Sequence, residues 1–264
     1  MRSVPLVHLV SVSIKTKSMA INYYQLQTMI ICDQVTTLYL GVFLKEILLD
    51  IYQRLFQQYG PQYWWPGNGP FEIALGAILT QGTSWSNAEK ALGNIKDEGL
   101  LNPKALKDIP EEYLASLIKP SVYFNTKARK IKALCDYLGS YYEGHIGGLL
   151  NKNEKELRLE LLSIYGIGEE TADDIILYAA KKPVFVIDSY TRRILQRLHI
   201  CPSSDVYASY QALFMKHLPL DRELYGEYHA LLDVHGSKIC RKTAPVCMGC
   251  SLMDICPTGS RVTS

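Results

Sequence analysis

Residues 161–180 read LLSIYGIGEETADDIILYAA, two apolar runs joined by Gly166, Ile167 and Gly168. Apolar residues in both runs recur at helical spacing and do not alternate, which indicates two helices. Two glycines one residue apart permit a tight turn whose backbone N–H groups point outward beside a helix N-terminus. Such a turn can bind a phosphate, although glycine turns also join ordinary pairs of packed helices. The stretch predicts a helical hairpin and leaves phosphate binding open.

Helical spacing continues on both sides of the hairpin. Upstream, an apolar stripe begins at Val42 and ends at Tyr59–Gly60–Pro61. Only Pro183–Ile187 has the character of a short extended segment. The chain is therefore predicted to be all-α. Helices are expected at 42–59, 70–80, 87–95, from 103, and at 110–118, 126–139, 153–165, 169–180, 189–199, 204–217 and 221–234.

A C-terminal loop holds four of the seven cysteines, Cys240, Cys247, Cys250 and Cys256, with the spacing C-x6-C-x2-C-x5-C. Structural zinc commonly uses two short cysteine pairs. One short pair with two wider gaps fits four thiolates around a [4Fe–4S] cluster better. The remaining possibility is a pair of disulfides or four unrelated core cysteines. Cys32, Cys135 and Cys201 are isolated and are expected to be reduced core residues.

Asp188 follows the extended segment and precedes a predicted helix. A carboxylate at such a place can be a helix N-cap or a catalytic group. Upstream, all three tryptophans, Trp64, Trp65 and Trp85, lie close together in the sequence, and Trp64–Trp65–Pro66 falls in a predicted loop. They could fill the core, or their flat apolar faces could hold a planar ligand.

Composition sets wide limits. The chain has 264 residues, 48% of them hydrophobic, and a net charge of +2, which only weakly suggests a nucleic-acid partner. No run of about 20 apolar residues occurs, so no membrane-spanning segment is predicted. Residues 1–42 show no clear periodicity and are expected to be an N-terminal arm, either disordered or not part of the natural protein. A cytoplasmic protein is expected.

These motifs together resemble the endonuclease III-like branch of the helix-hairpin-helix (HhH-GPD) DNA glycosylases. This resemblance implies a nucleoid-associated monomer. The cysteine spacing after His235–Gly236 and the Gly166-Ile167-Gly168 hairpin both match, and the likeness covers residues 43–258. It implies a helical barrel subdomain, 68–188, and a cluster-bearing subdomain built from 43–67 and 189–258. It also implies that Asp188 is the catalytic carboxylate and that a [4Fe–4S] cluster binds the four cysteines.

The resemblance extends to DNA contacts. Gln81 matches the family's glutamine that enters the duplex, and Tyr123 matches the position of a wedge residue. A helix C-cap and a surface aromatic are the alternatives for these two side chains. Lys127, on a predicted basic helix face, is expected to contact phosphate, with a merely solvated face as the alternative. The hairpin residues Gly166, Ile167, Gly168 and Thr171 are expected to bind the DNA backbone.

One position departs from the family. Members that also cleave the DNA backbone carry a lysine just after the hairpin, where this chain has Glu170. A carboxylate cannot form a Schiff base, so a glycosylase without lyase activity is predicted unless Lys181 or Lys182 reaches the site.

The Trp64–Trp65–Pro66 loop with Trp85 is similar to the pocket of the 3-methyladenine glycosylases of this superfamily. The predicted reaction is therefore hydrolysis of the N-glycosidic bond of an alkylated purine flipped out of double-stranded DNA. A uracil or thymine-mismatch enzyme, an oxidised-base enzyme with lyase activity, and a non-catalytic iron–sulfur DNA-binding protein are the alternatives.

Overall fold

The structure is a computed structural model that describes residues 34–259, with side chains from Val42 onward. The described residues from Val42 onward form one compact unit. Most of the predicted N-terminal arm, together with Cys32, lies outside the described residues. The predicted division of the compact unit into subdomains 68–188 and 43–67 plus 189–258 stays a prediction.

The described residues contain helices and no strand, which confirms the all-α prediction. The helices are α1 (Gln34–Tyr59), α2 (Pro70–Leu79), α3 (Trp85–Asp97), α4 (Pro103–Asp108), α5 (Glu111–Leu117), α6 (Phe124–Tyr141), α7 (Ile146–Leu150), α8 (Glu154–Ser163), α9 (Glu169–Asp174), α10 (Ser189–Arg197), α11 (Tyr207–His217) and α12 (Arg222–Lys238). A π-helical turn, Ile175–Ala179, continues α9. Within the described range, no helix has the length and apolarity needed to span a membrane.

The helix boundaries follow local signals. Asn102, Asn153 and Asp221 each accept a hydrogen bond from a backbone N–H in the first turn of the helix that follows, and this satisfies a donor that the helix itself cannot use. At the end of α1, Gly60 takes a left-handed φ of 68°.

Two helices differ from the sequence prediction. α1 begins at Gln34, well before the predicted Val42, because residues 34–41 include no proline that would stop it. The start of this helix is thereby corrected, whereas the boundary of the N-terminal arm at residue 42 stays a prediction. α7 was not predicted, since its five residues, IGGLL, are too short to show a period and include two glycines.

The centre of the core is α2, whose residues from Phe71 to Leu79 are all buried. It packs against α3, α6, α9 and the π-helical turn. Gly76 of α2 leaves room for a neighbouring aromatic ring, since a Cβ there would lie 2.9 Å from Nε1 of Trp65. The tryptophan loop is thereby seated directly on the central helix.

A buried carboxylate in the second helix of the hairpin holds the hairpin against its neighbouring helices. Asp173 of α9 is fully buried and accepts a hydrogen bond from Nε of Arg158 at 2.8 Å. Its other oxygen accepts one from Nε2 of Gln211 at 2.7 Å. Because the buried charge is paired, α8, α9 and α11 are fixed to one another around it.

Candidate active site and nucleic-acid interface

A cavity of about 540 Å³ lies between the tryptophan loop, the turn that follows α2, and helices α9, α10 and α12. Aromatic and ionisable side chains line it together, which is typical of a ligand or active site. The lining residues that bear on function are Trp64, Trp65, Trp85, Glu170, Asp174, Asp188, His229 and Asp233.

Asp188 is both an N-cap and a cavity residue. Its Oδ1 accepts a hydrogen bond from the backbone N–H of Thr191 at 2.6 Å, so it caps α10. Its Oδ2 lies 3.8 Å from Nε2 of His229, and the side chain is buried against the cavity. The cap fixes the orientation of the carboxylate while one oxygen remains directed to the cavity side.

His229 is held in its neutral form. Burial lowers its pKa, with a smaller opposing effect from Asp188. Its Nδ1 lies 2.8 Å from the hydroxyl of Tyr178. The Tyr178 hydroxyl donates to the carbonyl oxygen of Gly226 at 3.1 Å, so its oxygen is left to accept a hydrogen bond from Nδ1–H of His229.

Three more carboxyl groups face the same cavity. Burial and, to a smaller extent, the charge of Asp188 raise the pKa of Glu170 and of Asp233 to about 7 each. Glu170 lies at the cavity mouth and is partly open to solvent, which limits the effect of burial on its pKa. Asp174 is buried, and its burial raises its pKa well above the ordinary value. The charge of Asp188, with partial charge on Glu170 and Asp233, gives the cavity a negative potential that suits a cationic ligand.

Tryptophans form the opposite wall of the cavity. The rings of Trp64 and Trp65 are 5.7 Å apart, and Trp85 meets Trp65 edge to face at 5.5 Å. All three are partly buried, so part of each ring remains accessible. Pro66, which was predicted to belong to the pocket, is exposed and does not line the cavity, because the chain turns away from it after Trp65.

Gln81 connects the turn after α2 to the hairpin. Its Nε2 donates to the carbonyl oxygen of Gly166 at 3.1 Å and to the hydroxyl of Thr171 at 2.8 Å. Nζ of Lys130 donates to its Oε1. Entry of Gln81 into a duplex stays a prediction, and it would require these hydrogen bonds to break.

The hairpin residues divide into buried and exposed positions. Ile167 and Thr171 are buried, so only their backbone groups could meet a DNA strand. Gly166 has a φ of 84°, a left-handed conformation that favours glycine. Gly168 is exposed at the N-terminus of α9. Phosphate binding by this turn stays a prediction.

Tyr123 is 69% exposed and has a φ of 48°. Its ring lies over Gly82, where a Cβ would be 3.6 Å from Cε2 of Tyr123. The strained backbone presents an aromatic ring to solvent beside the cavity mouth, a placement that is compatible with the predicted wedge role.

Lys127 is not where the sequence analysis expected it. It is 2% exposed, and its Nζ donates to the carbonyl oxygens of Leu79, at 2.8 Å, and Ser121. The prediction that Lys127 contacts phosphate from a basic surface is therefore wrong. The helix turns this position inward to satisfy two backbone carbonyls, while Arg129 is exposed.

The four loop cysteines line one small cavity of about 30 Å³ together with Arg197. Nη1 of Arg197 donates to Sγ of Cys240 at 3.1 Å, and the backbone N–H of Gly259 donates to Sγ of Cys256 at 3.3 Å. In the described part of the chain, no group of His, Cys, Asp or Glu is arranged for a single metal ion.

Among the isolated cysteines, Cys135 is buried as predicted, whereas Cys201 is exposed in the loop after α10, contrary to prediction.

Comparison with known proteins identifies the family. Residues 75–219, more than half of the chain, match the HhH-GPD superfamily of base excision DNA repair proteins. The chain belongs to this superfamily. A candidate DNA repair glycosylase of Methanocaldococcus jannaschii is 41% identical over 214 residues, which are 80% of this chain and 96% of that protein.

Solved structures of this superfamily share the fold. A trapped covalent intermediate of endonuclease III with DNA superposes with a TM-score of 0.72 at 22% identity, and the match covers 83% of this chain and 99% of that one. The H. pylori 3-methyladenine DNA glycosylase bound to 1,N6-ethenoadenine gives a TM-score of 0.63 at 26% identity, with coverages of 75% and 97%. The endonuclease III-like resemblance inferred from the motifs is confirmed, and so is membership of a DNA glycosylase family.

Several cavity residues of this HhH-GPD protein were not found from the sequence. Asp174 follows Glu170 by four residues, and Asp233 follows His229 by the same interval. Residues four apart share a helix face, so a search for polar positions at that spacing within apolar helices would have found them.

Proposed function

We propose that this chain is a DNA glycosylase that hydrolyses the N-glycosidic bond of a damaged base flipped out of double-stranded DNA, and that it has no lyase activity. The substrate is an alkylated purine such as 3-methyladenine. The observation that supports this most strongly is the position of Asp188, at a cavity with tryptophans on one wall and carboxyl groups on the other. A base cannot reach such a cavity without leaving the stack.

The cavity favours a positively charged base. A purine methylated on a ring nitrogen is cationic, and indole faces attract such a charge by up to about 2 kcal/mol when water is excluded. The carboxyl groups of Glu170 and Asp233, each with a pKa near 7, add partial negative charge. A cationic base is also a good leaving group, so the same positive charge favours binding in the cavity and breaking of the glycosidic bond.

Asp188 would stabilise the positive charge that develops on the sugar as the glycosidic bond breaks. The same carboxylate can orient or deprotonate the attacking water. Its fixed Oδ1–Thr191 hydrogen bond removes the need for reorganisation during the reaction.

Water is the proposed nucleophile because none of the described residues that line the cavity carries an amine. Glu170 occupies the position at which lyases of this family have lysine, and a carboxylate cannot form an imine. Lys181 and Lys182 do not line the cavity. The product would therefore be an abasic site in an intact strand.

DNA would lie across the cavity mouth. The exposed ring of Tyr123 could fill the gap left by the flipped base, with Gln81 beside it. The backbone N–H groups at Gly166–Gly168 would bind phosphate. Arg129 adds an exposed positive charge on α6.

The loop cysteines would hold a [4Fe–4S] cluster. Four sulfurs around one cavity fit this group, and N–H donors from Arg197 and Gly259 already meet two of them, as thiolate ligands require. The cluster would keep the loop folded. Iron and acid-labile sulfide measured in the purified protein test this assignment.

The Asp188→Asn variant tests the enzymatic proposal. Asn is as good an N-cap as Asp, so folding and DNA binding should be retained. Base release from methylated duplex DNA should fall at least about 100-fold. Equal release by the variant and the wild type would contradict the role of Asp188. Binding of the wild type to DNA without release of any damaged base would favour a non-catalytic DNA-binding protein.

A further inference from the structure

Asp174 is a cavity residue that the reaction described above does not use. It is 6% exposed and lines the cavity from α9. Its Oδ1 has no solvent-accessible surface and no hydrogen-bond partner among the described residues. By contrast, Asp188 uses its Oδ1 to cap α10. A buried carboxyl oxygen without a hydrogen-bond partner is costly to leave ionised, so this position favours the protonated acid.

The surroundings of Asp174 favour its neutral form. Glu170 lies one helical turn before it, and Asp188 and Asp233 face the same cavity from α10 and α12. Burial raises the pKa of Asp174 well above its ordinary value, and the charges of Glu170 and Asp188 raise it further. His229 and Tyr190 are the remaining titratable residues of the lining, and burial favours the neutral form of His229. Among the described residues no Lys or Arg lines this cavity, so its surroundings favour the protonated form of Asp174.

We propose that Asp174 is a general acid that protonates the leaving base, which gives this protein a further activity, the release of neutral damaged bases. This inference rests on the proposed glycosylase function. A cationic alkylated base leaves without help, but a neutral base would leave as an anion unless it receives a proton. A positioned carboxylic acid supplies that proton as the bond breaks.

The proton balance is complete. When the bond between C1′ and the base nitrogen breaks, its electron pair goes to the base, and the proton of Asp174 moves to a ring nitrogen or oxygen of the base. Water adds to C1′ and gives one proton to Asp188 or Glu170. That proton returns Asp174 to its acid form, so the net reaction adds OH to the sugar and H to the base.

The Asp174→Asn variant separates this role from a structural one. An amide keeps the size and the hydrogen-bonding capacity of the acid but has no proton to transfer. Single-turnover rates would be measured on duplex DNA containing 3-methyladenine, which is cationic in the nucleotide, and on duplex DNA containing neutral 1,N6-ethenoadenine or hypoxanthine. We expect the ratio of neutral-base to cationic-base release to fall about 100-fold, the lower end of general acid catalysis.

Two matched variants serve as controls. Asp136→Asn makes the same chemical change on an exposed residue of α6 and should leave the ratio unchanged. Asp233→Asn changes another carboxyl group of the cavity. A fall of the ratio in Asp233→Asn and not in Asp174→Asn would mean that the proton comes from Asp233, which contradicts the proposal. Asp174→Ser is a second variant, which covers the case that the amide disturbs the cavity. The same ratio would be measured for it, and its DNA affinity would show that it folds.

The remaining outcomes also decide the matter. Parallel loss on both kinds of base, or loss on neither, would overturn the acid role. Wild-type release of 3-methyladenine without release of either neutral base would overturn the further activity and leave the proposed function intact. Release of no base of any kind would contradict the proposed function itself and, with it, the role of Asp174.

Discussion

The buried ammonium group of Lys127 donates a hydrogen bond to the carbonyl oxygen of Leu79 at 2.8 Å. It donates a second to the carbonyl oxygen of Ser121. Leu79 directly precedes the turn that carries Gln81, and Ser121 lies two residues before Tyr123. One side chain therefore holds together the two segments that are proposed to enter the duplex.

Replacement of this lysine should loosen both segments. In Lys127→Met, two buried carbonyl oxygens lose their donors, and each loss costs about 1–3 kcal/mol. We expect the free energy of unfolding to fall by about 2–4 kcal/mol in urea denaturation. Arg129→Met, on the exposed face of the same helix, should change it by less than about 0.5 kcal/mol. Equal stabilities of the two variants would show that the hydrogen bonds of Lys127 contribute little.

A lysine introduced at position 170 should convert the site toward lyase chemistry. Glu170→Lys places an amine at the cavity mouth, at the position of the family's Schiff-base lysine. We expect borohydride to trap a covalent protein–DNA complex with this variant and not with the wild type. Glu169→Lys is the matched control, because Glu169 lines the hairpin surface outside the cavity. Equal trapping with both variants would place residue 170 away from the sugar.

The Trp85 ring should matter for its aromatic face more than for its size. Base–aromatic stacking contributes about 1–3 kcal/mol, so Trp85→Ala should lower kcat/KM for 3-methyladenine release roughly 10- to 100-fold. Trp85→Phe keeps a flat ring and should retain most of the activity. Identical losses in the two variants would argue against stacking, since only one of them lacks an aromatic ring.

The acidic cavity should be a cost to stability at neutral and alkaline pH. The pKa of Asp233 is raised to about 7 in the folded chain, mainly by burial and next by Asp188. Between about pH 4 and pH 7 the folded state therefore binds the proton more tightly, so ionisation opposes folding as the pH rises.

Asp233→Asn removes that effect. Relative to the wild type, this variant should gain roughly 4 kcal/mol of stability between about pH 4 and pH 7, and the difference should then stay constant. Urea unfolding at pH 4, 6 and 8 measures the difference, with Asp136→Asn as the exposed control. A difference that does not grow with pH would mean that Asp233 is not desolvated in the folded state.

The hairpin, most helices and the N-cap position of Asp188 could be predicted from the sequence because each has a local signal. Gly166 and Gly168 mark the turn, apolar spacing marks the helices, and the position before α10 marks an N-cap. Lys127 was assigned to the wrong face because basic residues in a helix do not themselves reveal which of them satisfies buried carbonyls. His229 and Asp233 were missed because α12 meets the cavity only through tertiary packing, which no local pattern encodes.

The account depends most directly on the products formed from methylated double-stranded DNA. The purified protein would be incubated with this DNA, free bases would be identified, and the strands would be examined with and without hot alkali. We predict release of 3-methyladenine and strand breaks only after alkali, because water is the nucleophile and the strand stays intact. Strand breaks without alkali would contradict the role assigned to Glu170, and release of uracil, mismatched thymine or oxidised bases in place of 3-methyladenine would contradict the proposed substrate.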